Sequence, residues 1–193
     1  MPFCAPPDLK RDVAAIAALA IGHCRLPHPD VVAQCAGAIF PTIRDQRRRG
    51  TVDTERGLLL DDNATPRWAI FWAHGMPQTH HPRGWTIAHV WKATKDPDAY
   101  THLANLCLMP ECLGSLSDKD GPLCRFLEYH AWKVYGWHPA HTEAPEMPPG
   151  YDCISWRYLD PHAEPLMFVR HRVMSLKNQR VMILRQLMGL ADG

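Results

Sequence analysis

The chain has no excess of charge of either sign: 21 Lys+Arg stand against 20 Asp+Glu. Bulk charge therefore makes no case for nucleic acid, and only a local cluster can make one. No C-x-x-C pair occurs among the seven Cys, at positions 4, 24, 35, 107, 112, 124 and 153. Their odd count and irregular spacing argue against a disulfide framework. Buried free thiols are the expected state, with a Cys/His zinc site as the weaker alternative. No apolar run reaches the roughly 20 residues that span a bilayer. Ala14–Ile21 comes nearest and is far too short. The opening MPFCAPPDLKRD has no apolar core of a signal peptide. These absences lead us to expect a soluble, cytoplasmic protein that does not enter the membrane. There is no internal repeat and no low-complexity tract.

What is present suits one domain. The chain has 193 residues, 46% of them hydrophobic, enough for a real core. Seven Trp and 18 Pro point to a turn-rich fold rather than a bundle of long helices. Asp8–Ile21 reads as a helix capped by Asp8, with Val13, Ile16, Ala17 and Ala20 on its apolar face. Pro29–Arg49 reads as a second helix, kinked or split at Pro41. It would end in Arg47-Arg48-Arg49-Gly50, either as cations at the negative end of a helix dipole or as a phosphate-contacting patch. Asp61-Asp62-Asn63 is an N-cap cluster that opens a short helix with Trp68, Phe71 and Trp72 in the core. Gly75–Gly84 is a loop, and its His80-His81 pair reads as solvated rather than metal-bound.

Two runs of strand formers follow, Trp85–Val90 and Leu103–Met109, joined through a turn at Asp96-Pro97-Asp98. Ser117 or Asp118 then caps a helix to about Tyr135, with Leu123, Phe126, Leu127, Ala131, Val134 and Tyr135 on one face and Gly136 as its stop. His141–Asp152 is Pro-rich and irregular. Glu164–Leu190 is the longest helical pattern, with Leu166, Val169, Val173, Leu176, Ile183, Leu187 and Leu190 in its seam. Arg170, Arg172, Lys177, Arg180 and Arg185 are unrelieved by acid between Leu166 and Leu190. That face is solvated, turned to DNA, or beside a homodimer seam. The expected fold is α+β: a helix-rich single domain with a central two-stranded hairpin plus helix and a long C-terminal helix. Its parts would be a helical segment 1–60, a hairpin core 61–140 and a Pro-rich connection with the last helix, 141–193.

The chemistry concentrates in WTIAHVWKATKDPDAYTHLANLCLMPECLGSLSDKD, residues 85–120. A His closes the first strand, an Asn opens the second, and an Asp stands where a helix should begin. Hydrolysis by such a set needs a base for water, neutralisation of the charge that grows on the attacked group, and stabilisation of the leaving oxygen. A neutral His suits the first task near pH 7 if something fixes its orientation. Each residue has a plain alternative: His89 as a satisfied half-buried ring, Asn105 as a turn closer, Asp118 as a helix N-cap.

This order of residues resembles the core of HNH (ββα-metal) endonucleases. The motifs His89-Val90-Trp91, Tyr100-Thr101, Asn105-Leu106 and Ser117-Asp118 resemble an uncharacterised bacterial subgroup across roughly residues 61–139. The resemblance implies His89 as general base and Asn105 as the residue that positions it. It implies Asp118, supported by Asp120, as ligands to a weakly held Mg²⁺ or Mn²⁺, with zinc less suited. Two ligand positions of the family are empty: Ala88, before the His, and Gly114, nine residues after the Asn. Arg83, Lys92 and Lys95 are the nearest cations for phosphate. The implied activity is metal-dependent cleavage of DNA, with RNA as the second substrate. The competing expectation is a decayed HNH-like module that binds nucleic acid or a protein without cutting.

Overall fold

The computed structural model describes residues 10–117 and 122–190, without the side chains of residues 10–14, 115, 116 and 122. The fold is α+β. Its elements in order are α1 (Lys10–Ile21), α2 (Pro29–Cys35), β1 (Thr42–Arg44), β2 (Val52–Asp53), β3 (Leu58–Asp61), α3 (Ala64–Ala73), β4 (Trp85–His89), α4 (Pro97–Tyr100), β5 (Leu106–Pro110), α5 (Gly114–Ser117), α6 (Pro122–Tyr135), α7 (Pro165–Ser175) and α8 (Gln179–Leu187). The expected caps Asp8 and Asp118, the thiol Cys4 and the carboxylate Asp120 lie outside the described residues. No helix among the described residues is long and apolar enough to cross a membrane.

The hairpin forms from the two strand-forming runs, but the second starts later than expected: Leu103–Asn105 is a 3-10 turn and the strand opens at Leu106. β4 and β5 pair antiparallel from Trp85↔Pro110 to His89↔Leu106. Side chains alternate across a strand, and here the alternation divides two apolar layers. Ile87, Leu106 and Leu108 pack with Trp68, Phe71 and Trp72. Ala88, Cys107 and Met109 pack with Leu26, Leu123 and Phe126. A strand buried on both faces reads as a continuous apolar run, which is why LCLM shows no polar alternation. The layers draw on all three sequence segments: Val31 and Phe40, Trp68 and Leu106, and Val169 and Val173 share one of them.

The second helix is shorter than its pattern predicts. α2 starts with His28 accepting from the Asp30 amide at 3.2 Å and stops where Ala36 turns left-handed at φ 33°. Beyond Pro41 the chain is strand. β1 pairs parallel with β3, Thr42↔Leu59 to Arg44↔Asp61, and β2 pairs antiparallel on the other side of β3. Pairing of Ile43 with buried Leu60 overrides the local helical spacing. The Arg run therefore terminates no helix. Asp45 accepts from the amides of Arg47 and Arg48, the Arg48 guanidinium closes on the same carboxylate, and Arg49 pairs with Asp62 at 3.0 Å. In α1 the buried face is Ala17, Ala20 and Ile21, while Ile16, expected on it, is 60% exposed.

The helical C-terminus packs Val169, Val173, Val181 and Leu184 into the layer around Trp72. It is interrupted at residues 176–178 between α7 and α8. Asn178 Oδ1 caps α8 by accepting from the Arg180 amide at 2.9 Å. Arg185 donates to the carbonyls of Val173, Met174 and Leu176, which the end of α7 leaves open. The bend carries Arg180 to a buried carboxylate: Nη1 donates to Asp61 at 3.1 Å and to Asp62 at 2.6 Å.

Candidate functional site

His89 leaves β4 half-buried, and two features fix its ring. Its Nε2 lies 3.1 Å from the Tyr100 carbonyl oxygen. A carbonyl only accepts, so Nε2 carries the proton and Nδ1 keeps the lone pair of the neutral imidazole. The ring also stacks on Tyr100, with centroids 5.2 Å apart and planes 8° from parallel. Burial drives the His89 pKa down to about 4. The Tyr100 hydrogen bond opposes that shift, and the Arg44 charge adds to it. The ring is therefore neutral at pH 7.

Tyr100 is in turn positioned. It closes the single turn α4, which Asp96 caps by accepting from the Asp98 amide at 2.9 Å with Pro97 at the first helical position. Its hydroxyl accepts from the Asn63 amide at 2.9 Å and lies 3.2 Å from Asn63 Oδ1. Asn63 sits at the start of α3 in a left-handed conformation, φ 81°. The N-cap cluster does its expected work through Asp61, whose Oδ2 accepts from the amide and hydroxyl of Thr65 at 2.7 and 2.8 Å.

Asn105 is fully buried and clasps the loop between the strands. Its Oδ1 accepts from the Trp91 amide at 2.7 Å, and its Nδ2 donates to the Ala99 carbonyl at 2.9 Å. Its own carbonyl accepts from the Val90 amide at 2.8 Å. One side chain thus ties the residues that follow His89 to the turn that holds Tyr100.

His89 opens on a cavity of about 470 Å³. Arg44, Lys92, Asn63, Thr94 and Ser117 share the wall with it, so cations and neutral oxygens surround the imidazole. Ala88 and Gly114 also line this cavity. The two positions where the HNH pattern lacks its ligands therefore face the same space as the His. Asp118 and Asp120 lie outside the described residues, while Ser117, the residue before Asp118, lines the wall. Among the described residues no three His, Cys, Asp or Glu side chains converge as a metal site.

The expected phosphate cations divide. Lys92 lines this cavity and a neighbouring one. Lys95 lines only the neighbour, and its ammonium donates to the Arg44 carbonyl. Arg83 is exposed in the loop before β4 and is not part of either wall. Arg44 is the cation that sequence reasoning missed, because it lay inside the expected second helix; the β-branched pair Thr42-Ile43 was the available signal for a strand. His102 serves elsewhere, capping the turn before β5 through Nδ1 and stacking on Trp137 at 4.4 Å. His81 accepts from Arg67 Nε at 3.1 Å. The six described Cys are free thiols, with Cys112 and Cys153 exposed.

The site thus defines a class by its parts: an α+β protein with a neutral, oriented imidazole in a cation-lined cavity at the end of a hairpin where the connecting loop leaves it. No family model, curated protein or solved structure matches the chain.

Proposed function

We propose that the chain is an HNH-like endonuclease domain that hydrolyses phosphodiester bonds of DNA, with RNA as the second substrate. The observation that carries this reading is the His89 ring, held neutral with Nε2–H locked on Tyr100 and sharing one cavity with Arg44 and Lys92. Nδ1 takes a proton from water, and the water oxygen bonds to phosphorus as the opposite P–O bond breaks. The leaving oxygen is protonated from solvent. Arg44 and Lys92 offset the charge that builds on the phosphate.

A divalent cation is a separate part of the proposal. Mg²⁺ accepts one or two carboxylates, with waters and phosphate oxygens completing its shell. The described wall offers neutral oxygens from Asn63, Thr94 and Ser117, which do not make a metal site alone. The carboxylates would come from Asp118 and Asp120, and no step is assigned to the metal.

The test is nicking of supercoiled plasmid by the full chain with Mg²⁺ or Mn²⁺. His89→Ala should lower the rate by about 10²–10⁴-fold, the usual contribution of a general base, with the circular dichroism spectrum unchanged. Nicking by His89→Ala at the wild-type rate would remove His89 as the base. A second reading has its own observation: Ala88 and Gly114 put no ligand into the cavity. It predicts a decayed module that shifts DNA in a salt-dependent way and nicks with neither Mg²⁺, Mn²⁺ nor Zn²⁺. Homodimerisation would use the outer face of the C-terminal helices, where Met167 is 59% and Met182 49% exposed. Sedimentation of Met182→Glu tests it.

A further inference from the structure

A second cavity, of about 830 Å³, adjoins the first and shares Lys92 with it. Trp91, Trp137 and His138 form its aromatic wall, and Lys95 and Asp98 stand with Lys92 at its polar side. Its size falls within the roughly 300–1,000 Å³ of small-ligand pockets. Two of the chain's largest apolar rings remain half-buried here. The backbone at Trp91 is tethered: its amide donates to Asn105 Oδ1 at 2.7 Å. Trp137 is backed on one face by His102, with planes 17° apart, which leaves the other face for a ligand. His138 Nδ1 lies 3.1 Å from Thr142 Oγ1. The Trp91 Nε1–H is buried with no acceptor among the described residues, and an indole N–H in such a place usually finds one.

We propose that this cleft stacks an unpaired base of a single-stranded nucleic acid on Trp91 and Trp137, with the adjoining phosphate led past Lys92 toward His89. The choice of ligand rests on the nuclease-like reading of the first cavity. The pairing of flat aromatic faces with cations along one path is the chemistry of single-strand binding: π-faces for bases, positive charge for backbone. A base inside a duplex has both faces covered by its neighbours and cannot enter the cleft without leaving the stack. The carboxylates do not oppose this placement. Asp96 is committed to its cap, and Asp98 on the rim can accept from an exocyclic amino group.

The test is equilibrium binding of fluorescein-labelled 12-nucleotide DNA and RNA single strands and of the matching duplex, in EDTA at 150 mM NaCl. The full chain is used throughout. Single strands should quench tryptophan fluorescence and bind more tightly than the duplex. Trp137→Ala should weaken them by about 5–150-fold, the range for loss of one stacked base, and Trp137→Phe should restore most of the affinity. Preference of DNA over RNA, or the reverse, assigns the source of the strand. Equal binding of duplex and single strand, or unaltered binding by Trp137→Ala, overturns the proposal, as does displacement by a proline-rich peptide, the other frequent guest of aromatic grooves. Selective single-strand binding without nicking under any metal keeps this inference and defeats the cleavage reading. Nicking without single-strand preference does the opposite.

Discussion

The two ends of the His89 cavity are built to different standards. At the strand end the polar atoms that set the imidazole are satisfied: Nε2 on Tyr100, Asn105 on Trp91 and Ala99, the Tyr100 hydroxyl on Asn63. At the helix end, Gly114 brings no side-chain ligand atom to the wall, and on β4 Ala88, the residue before His89, brings none either. The contrast separates two requirements that an active site usually joins. Orienting a base needs a clasped loop and a buried network, and this can persist whether or not a cation is held opposite. The reading of the chain as cutter or binder thus turns on the helix end alone.

The largest expected effect sets the His89 imidazole beside the other desolvated rings of the molecule. Burial lowers the pKa of His74, His81, His89 and His102 to about 4 and that of His130 to about 3. Above pH 6.5 these rings are neutral folded or unfolded, and stability is complete. As pH falls below 6.5 the unfolded chain takes up protons that the folded chain refuses, so stability drops until about pH 4. Each fully buried ring contributes at most about 1.4 kcal/mol per pH unit in that window; half-exposed His81 contributes least. Urea unfolding midpoints at pH 7, 6 and 5 measure the slope. A flat profile would mean that the rings are not sealed as described. Nicking, if present, should show no acid limb near 6.5, because His89 stays neutral well below it.

Asn105→Ala comes next. It strands the Trp91 amide, at about 1–3 kcal/mol, while the Ala99 carbonyl loses one donor and keeps the His102 amide at 3.3 Å. We expect a loss of about 1–3 kcal/mol in urea unfolding, together with loss of any nicking. Asn105→Asp keeps the acceptor for Trp91 but cannot donate to Ala99 unless protonated, so it should fall between. If Asn105→Ala were as stable as wild type, the clasp would have no role in holding the loop.

Much of the strand end was legible in the sequence. His89 and Asn105 sit at strand boundaries marked by apolar runs, and DPDA spells a capped turn. What joins them was not. The Tyr100 carbonyl acts through backbone, which no residue type announces. Asp61 reads locally as a cap and does cap Thr65, yet it also anchors Arg180, 119 residues away. That pairing depends on where α8 lands, and local pattern carries no such information. The short strand Thr42–Arg44 was hidden for the same reason: three residues leave no periodicity, and only the pairing with β3 defines it. The two carboxylates assigned to a metal, Asp118 and Asp120, lie outside the described residues, so the helix end rests on Gly114 and Ser117.

A smaller effect addresses that helix end. Gly114 has helical backbone angles, φ −55° and ψ −41°, so a side chain meets no conformational conflict. Its Cβ would lie 3.3 Å from the Thr86 methyl, a contact that a slight shift relieves. Gly114→Asp adds a carboxylate to the cavity wall and should tighten Mn²⁺ binding about tenfold, or about 1.4 kcal/mol, by titration calorimetry. Unchanged affinity would say that the metal, if any, is not held at this end.

Arg44→Ala should have the smallest effect, and its form matters more than its size. The guanidinium is exposed at the cavity rim on the last residue of β1, whose amide donates to the Thr94 carbonyl at 2.8 Å. Its removal leaves this backbone pairing intact, so stability should stay within about 0.5 kcal/mol. One lost phosphate contact lowers the slope of log affinity against log salt by about one. If Arg44 grips the substrate equally before and during cleavage, KM rises severalfold while kcat stays within about twofold. A fall in kcat at constant KM would instead place Arg44 on the charge that develops at the phosphorus. It would then belong with His89 among the groups that act on the reacting atoms, and the strand end would hold catalytic charge as well as the base.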